Sequence, residues 1–276
     1  MKSKIFYLWS GIRQNFRYLF KRFNFTKRAT KLFGYRYKRD PGQVNILLTN
    51  RCHRECIDCS QFCTQAPSRD KLSIEQIQKF FRQSIENDKK WKVIRITGGE
   101  ATLDDDLPQV FLEIKKYLRF SPKTRVELLS NGYGYLVKER LKKTPNWVKI
   151  INTNKSSSFH PYFLRMTVAP ADLKGYQNAD FQAGCYGLRS CALTITKNGY
   201  YPCAVSSGID RIFGFNLGRK NLPSDGDSMR EILAKTCRFC GLYVFSDTKT
   251  KPGHCSKSWE KALASYKKKK PPLDDF

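Results

Sequence analysis

Three cysteines, Cys52, Cys56 and Cys59, fall in the pattern C-x3-C-x2-C. Three closely spaced thiolates are soft ligands, one short of the four that complete a cubane iron–sulfur cluster. A cluster held by three protein thiolates keeps one iron open and is a reactive centre. One held by four is an electron store or a structural clip. Cys63 follows nearby and reads either as an extra ligand or as a small buried hydrophobe. The later part of the chain adds Cys185, Cys191, Cys203, Cys237, Cys240 and Cys255. Among these, Cys237-Arg238-Phe239-Cys240 is a C-x2-C half-site, common to zinc and iron–sulfur centres.

These residues need elements to hold them. The triplet follows an apolar, strand-like run, Val44–Leu48, and a first strand is expected over Gln43–Asn50. A second strand, Val93–Thr97, runs into Gly98-Gly99-Glu100, where glycines let the backbone approach a ligand closely. A third, Arg125–Leu129, ends in Ser130-Asn131-Gly132, and a fourth, Trp147–Thr153, carries Asn152 with Asn154 just beyond. Functional residues thus gather at strand C-termini, where α/β barrels assemble their sites. A further strand is expected near Phe163–Ala169.

Helices are expected between the strands, near 73–87, 107–118 and 135–143. The first starts on Ser73 with Gln76 three residues on, a capping-box pattern, and turns Ile74, Ile77, Phe80, Phe81 and Ile85 to the core. Strand–helix alternation implies a parallel sheet with right-handed crossovers, an α/β class. Cys191 to Cys203 reads as a hairpin around Asn198-Gly199. Asp104, Asp105 and Asp106 are read as capping the helix that follows them.

Composition sets limits. The 276 residues carry a net charge of +27, and 40% are hydrophobic. No stretch approaches the ~18 apolar residues of a spanning helix. Residues 1–40 hold twelve Lys or Arg against Asp40 alone. Within them, Ile5, Leu8, Trp9, Ile12, Phe16, Leu19, Phe20 and Phe23 recur at helical spacing, with basic residues between. Such a basic amphipathic helix suits an anionic membrane interface, a protein core or nucleic acid; contact with anionic membrane through residues 1–30 is the preferred reading. The apolar stretches near the start are broken by Arg and Lys, unlike a signal peptide, so a cytoplasmic location with peripheral membrane association and reduced thiols is expected. Lys267–Lys270 and their surroundings, 261–276, read as a basic disordered tail.

The triplet, the Gly-Gly-Glu and the Ser-Asn-Gly, in this order and spacing over roughly residues 44–185, resemble the radical S-adenosylmethionine (SAM) superfamily. The resemblance implies a partial, truncated (β/α)6 barrel over 41–184 and a 4Fe–4S cluster on Cys52, Cys56 and Cys59. It implies SAM contacts from Gly98, Gly99, Glu100, Ser130, Asn131 and Asn152. The implied activity is reductive cleavage of SAM to a 5′-deoxyadenosyl radical that abstracts hydrogen from a peptide, sugar or small-metabolite substrate. A flavodoxin- or ferredoxin-like reductant is the implied partner. The family's usual aromatic residue before the third cysteine is here Asp58.

The small Cys-rich region, 185–260, resembles the SPASM or twitch extensions of that family. These hold auxiliary 4Fe–4S clusters, which implies one here on Cys191, Cys203, Cys237 and Cys240. Cys185 is an alternative to Cys191, Cys255 is a further candidate, and zinc is the competing occupant. His53 is expected to shield the first cluster. His160 is read as a proton donor or a structural residue. Competing functions are an RNA- or nucleotide-modifying radical SAM enzyme, prompted by the charge, and a non-catalytic zinc or Fe–S nucleic-acid binder.

Overall fold

The computed structural model describes residue 23 and residues 25–156, 159–160, 165–188, 192–243 and 253–276. The periodic helix expected within the leader, and Cys191, lie outside these residues apart from Phe23. In chain order the regular elements are α1 (Lys27–Phe33), β1 (Gln43–Thr49), β2 (Glu55–Cys56), α2 (Ile74–Glu86), β3 (Val93–Gly98), α3 (Leu107–Phe120), β4 (Arg125–Ser130), α4 (Tyr135–Lys142), β5 (Val148–Asn152), β6 (Phe159–His160), β7 (Leu193–Thr196), β8 (Gly199–Tyr201), α5 (Ala204–Phe213), α6 (Arg230–Thr236) and α7 (Lys257–Lys268). Short 3₁₀ turns join several of them.

Six strands form one open sheet in the order β5–β4–β3–β1–β7–β8. All are parallel except β8, which returns antiparallel to β7. This is the partial, unclosed barrel of an α/β chain. Every residue of β1 after Gln43 is buried, as expected of a parallel strand covered on both faces. Val44, Ile46 and Leu48 meet Ile77, Phe80 and Phe81 of α2, and Ile94, Ile96, Val110 and Ile114 complete the layer between sheet and helices. Ser73 and Gln76 form the expected capping box, with N–H···O distances of 3.2 and 3.0 Å.

Four differences from the sequence reading have local causes. Ile85 sits on the outer side of α2 and is 46% exposed. The described part of 163–169, Arg165–Ala169, forms a turn rather than a strand, so among the described residues four strands of the large sheet precede the cysteine-rich segment, with β2 and β6 paired apart from it. The hairpin turns on Lys197 and Asn198, and Gly199 already pairs with Thr196. A Cβ on Gly199 would press into the Gly218–Arg219 backbone, which explains the glycine better than the turn does.

Residues 261–276 are not a loose tail. Helix α7 runs to Lys268 with Trp259 and Tyr266 buried, and Phe276 packs edge-on against Tyr200 at 5.0 Å. The Phe276 N–H donates to the Lys197 carbonyl at 2.7 Å.

The cysteine-rich segment shares the core sheet. Strand β7 lies beside β1, with Val44 opposite Leu193 and Ile46 opposite Ile195. No helix of the described residues is long and apolar enough to cross a membrane.

Candidate functional site

The C-terminal ends of β1, β3 and β4 meet in one place, and glycine makes this meeting close. The Gly99 N–H donates to the Thr49 carbonyl at 2.7 Å and the Glu100 N–H to the Arg51 carbonyl at 2.9 Å. A Cβ on Gly98 would lie 2.5 Å from the Thr49 oxygen, and one on Gly99 would press into Arg51 with the Asn50 oxygen at 2.9 Å. The chain that these two glycines approach is therefore the exit of β1, which leads directly into Cys52.

Glu100 is buried, and its carboxylate knots two strand ends together. Oε1 accepts from the Thr102 hydroxyl at 2.7 Å, the Thr102 N–H at 3.3 Å and the Ser130 hydroxyl at 2.9 Å. Oε2 accepts from the Asn131 N–H alone, at 2.8 Å, and keeps acceptor capacity. Ser130 Oγ in turn accepts from the Gly132 N–H at 3.1 Å. Asn131 Oδ1 takes the Tyr133 N–H, and its buried Nδ2 has no partner. Asn152 is exposed and accepts from the Asn154 N–H at 2.8 Å. A Cβ on Gly132 would meet Asn152 Cγ at 2.7 Å.

The triplet occupies the loop beyond β1. Its thiols lie within electrostatic reach of one another and of Glu100. Burial pushes the Cys52 thiol up to about 11, against a hydrogen bond from the Arg54 backbone, and the charges of Cys59, Glu100 and Cys56 add to the rise. Cys59 is brought down to about 6, first by the Cys63 thiol, then, against burial, by the N–H groups of Cys63, Gln61 and Phe62. Cys63 is buried and is pushed up by donating to Cys59. The ring of His53 stacks on Tyr133 with centroids 5.9 Å apart, and the Arg54 guanidinium lies 4.9 Å from the same ring, which fixes this loop to the one after β4. Cys56 pairs through its backbone with His160.

Asp58 has φ of 52° and is buried. It accepts from the Thr167 hydroxyl at 3.2 Å and the Gly253 N–H at 3.1 Å, so it holds a later segment to the loop rather than lining a ring pocket. Lys155 stands close enough to Cys56 and Cys59 for their charge to act on its ammonium, and sequence reasoning had not picked it out. Asp106 sits at the N-cap of α3 without a capping bond and pairs with Lys71, while Asp105 pairs with Arg140. Asp104 accepts from the Asp106 N–H at 3.0 Å, so the run does supply a side-chain bond and negative charge at the start of α3, as expected.

A second group of thiols lies elsewhere. Cys185, Cys203, Cys237 and Cys240 line one small cavity, closed by Leu188, Ile209, Leu233 and Leu242. Cys203 caps α5 and accepts from the Ser206 N–H at 3.4 Å, and Cys185 accepts from the Gly187 N–H at 3.3 Å. Burial, reinforced by Cys185, Cys240 and Cys203, pushes the Cys237 thiol far up. Ligation would remove that proton outright. Cys255 is not among the residues lining this cavity; with Cys203 and Cys240 it packs in the apolar cluster around Trp259. Of the two alternatives, Cys185 and Cys191, the described residues include only Cys185, and it is at this cavity. Among the described residues no three His, Cys, Asp or Glu side chains converge as a single-ion site would require.

Residues 46–152 match the Radical SAM superfamily family model. This segment is similar to radical SAM domains, and the cofactors such a domain implies are a 4Fe–4S cluster and SAM. Curated relatives include a probable GTP 3′,8-cyclase of Metallosphaera sedula, 32% identical over 98 residues, and a GTP 3′,8-cyclase of Aliarcobacter butzleri, 32% identical over 106 residues. Each match covers 36% of this chain and 29% of the relative, so the chain spans under a third of the length of these relatives. A solved structure described as BtrN in complex with AdoMet and 2-DOIA is 12% identical, with a TM-score of 0.42 over 77% of this chain and 96% of that one.

The residues present fit both groups. Three thiols share one loop, ringed by N–H donors to sulfur. The spare capacity of Glu100 Oε2 and the orphaned Asn131 Nδ2 offer an acceptor for an ammonium and a donor for a carboxylate or hydroxyl beside them.

Proposed function

We propose that this chain, as the bearer of a radical SAM domain, is an enzyme that binds a 4Fe–4S cluster through Cys52, Cys56 and Cys59. When bound, the cluster supplies the electron that splits SAM into methionine and a 5′-deoxyadenosyl radical, which takes a hydrogen atom from substrate. The chain's own residues bind and orient. Gly98 and Gly99 bring the Glu100 carboxylate to the lip of the triplet loop. Ser130 and Asn131 fix that carboxylate. Asn152 stands at the outer edge of the same strand ends, where ribose hydroxyls would be met. The observation that carries this reading is the joint placement of the three thiols and the buried Glu100 knot at the ends of adjacent parallel strands.

The supporting relatives match over about a third of this chain. They favour SAM chemistry and leave the substrate among peptides, sugars and small metabolites, with nucleotides added because both relatives are GTP 3′,8-cyclases by name. A low-potential electron donor of the flavodoxin or ferredoxin type is the partner such chemistry needs.

The second site is read as an auxiliary 4Fe–4S cluster of the SPASM or twitch kind, on Cys185, Cys203, Cys237 and Cys240. Four thiols on one apolar cavity support it. Zinc suits four thiolates equally well, and iron counting separates the two. Location in the cytoplasm, with residues 1–30 resting on anionic membrane, is read from the basic, aromatic leader.

The test is anaerobic reconstitution with iron and sulfide counting, followed by assay for 5′-deoxyadenosine. Wild-type protein yields the nucleoside and Cys56→Ala yields none; equal yield from the two proteins ends the assignment.

A further inference from the structure

Helix α5 is buried on nearly every side and carries an arginine. Arg211 lies eight residues after Cys203, a little over two turns. It is 6% exposed. Its Nη1 donates to the Ala66 carbonyl at 2.9 Å and to the Tyr266 hydroxyl at 2.6 Å, and Nη2 is buried without a partner among the described residues. Among the described residues it joins no ion pair. A buried guanidinium without a counter-charge is costly, and proteins keep one where some other negative group compensates it.

The neighbourhood indicates which group that is. Ala66, which Arg211 holds, ends the turn that begins at Cys59: the Phe62 N–H bonds the Cys59 carbonyl and the Ala66 N–H bonds the Phe62 carbonyl. Gly208, one turn before Arg211, faces the Phe62 ring so closely that a Cβ would lie 2.5 Å from it. Gln61 and Arg211 line the same narrow cavity, and Gln61 Oε1 is likewise buried and unpartnered. The remaining charged lining groups are Asp70, Lys71 and Lys197, two cations against one anion.

We propose that Arg211 is the buried counter-cation of the Cys52–Cys56–Cys59 cluster and that its charge raises that cluster's reduction potential. The inference rests on the cluster assignment above. Reduction adds one negative charge to a group already wrapped in thiolates. A fixed cation in a medium of low dielectric stabilises that added charge. Arg211 is a positioning and tuning residue, since it touches the cluster loop and not the reacting atoms.

The experiment is an EPR-monitored redox titration of the full chain, reconstituted anaerobically. The cluster signal that changes on adding SAM is followed, in wild type, Arg211→Gln, Arg211→Met and Arg211→Lys. In the two neutral variants the reduced-to-oxidised ratio at fixed potential falls at least tenfold, which is ~59 mV for a one-electron couple. In Arg211→Lys, which keeps the charge, it stays within about threefold, or ~28 mV. Neutral variants that titrate with wild type overturn the proposal, and so does a Lys variant shifted as far as Gln. If neither neutral variant holds a cluster, the Lys variant decides: a tenfold drop refutes the charge effect and a near-native titration supports it. A wild-type protein with no SAM-responsive cluster counts instead against the cluster assignment.

Discussion

Replacing Glu100 by Gln isolates the knot at the strand ends, because shape is nearly kept while one acceptor becomes a donor. Oε1 takes three hydrogen bonds and Oε2 one, so the amide oxygen of Gln settles at the Oε1 position. Its NH₂ then faces the Asn131 N–H, which loses its acceptor. A buried donor left unmet costs about 1–3 kcal/mol. Opening of that amide is eased by the same amount, so its hydrogen exchange speeds by roughly 5–150-fold. The spare capacity on Oε2 disappears in the same substitution. A charge-assisted hydrogen bond to a bound ammonium is worth about 1.5–3 kcal/mol, so SAM affinity falls roughly 10–150-fold. Hydrogen–deuterium exchange over residues 125–135 and anaerobic calorimetry with SAM read the two effects separately. Fast exchange with native affinity leaves Glu100 as a structural knot only. If both stay within twofold of wild type, the reasoning about this carboxylate is refuted.

Other perturbations address other parts. Gly99→Ala drives a methyl into the Asn50–Arg51 backbone, an overpacking that costs about 1–3 kcal/mol, and first-site iron is lost in reconstitution; native iron content and urea midpoint would contradict it. Cys237→Ala removes the iron of the second site and leaves a SAM-responsive first cluster with some uncoupled SAM cleavage; unchanged total iron counts against a second iron centre. Deleting residues 1–30 weakens binding to anionic vesicles while both sites still fill, since each Lys or Arg near such a surface adds about 1 kcal/mol. Unaltered vesicle co-sedimentation would remove the membrane role of the leader.

Much of this was legible in residue order, for identifiable reasons. Parallel strands buried on both faces read as largely apolar runs, which is why Val44–Leu48, broken only at Asn45, and Val93–Ile96, broken only at Arg95, fall where expected. Ser73 and Gln76 announce a helix start through their own hydrogen bonds. Spacing did not single out Cys185 for the second cavity: it lies well before the hairpin in sequence, and the fold puts it beside Cys237. Arg211 was hidden because a helix enclosed on nearly all sides shows no polar face to betray its two charged residues, Asp210 and Arg211. The segment around α7 misled because its lysines dominate the composition. Trp259, Leu263 and Tyr266, at steps of four and three, were the available sign that one face is packed.

The triplet loop and Cys203 of the second thiol group are joined through neighbouring strands, and this constrains what each can do alone. β1 delivers the triplet loop, while β7 pairs with it and returns through β8 to Cys203 at the head of α5. α5 then passes back along the triplet loop, with Gly208 against Phe62 and Arg211 on Ala66. Phe62 stacks on Trp259 at 4.8 Å, and the Trp259 indole N–H donates to the Phe239 carbonyl, between Cys237 and Cys240. Close-packed interiors transmit displacement rather than absorb it. Filling the second site with a metal would fix the start of α5, and with it the distance between Arg211 and the triplet. The second site therefore bears on the first through a rigid helix and a fixed charge, whether or not electrons ever pass between them.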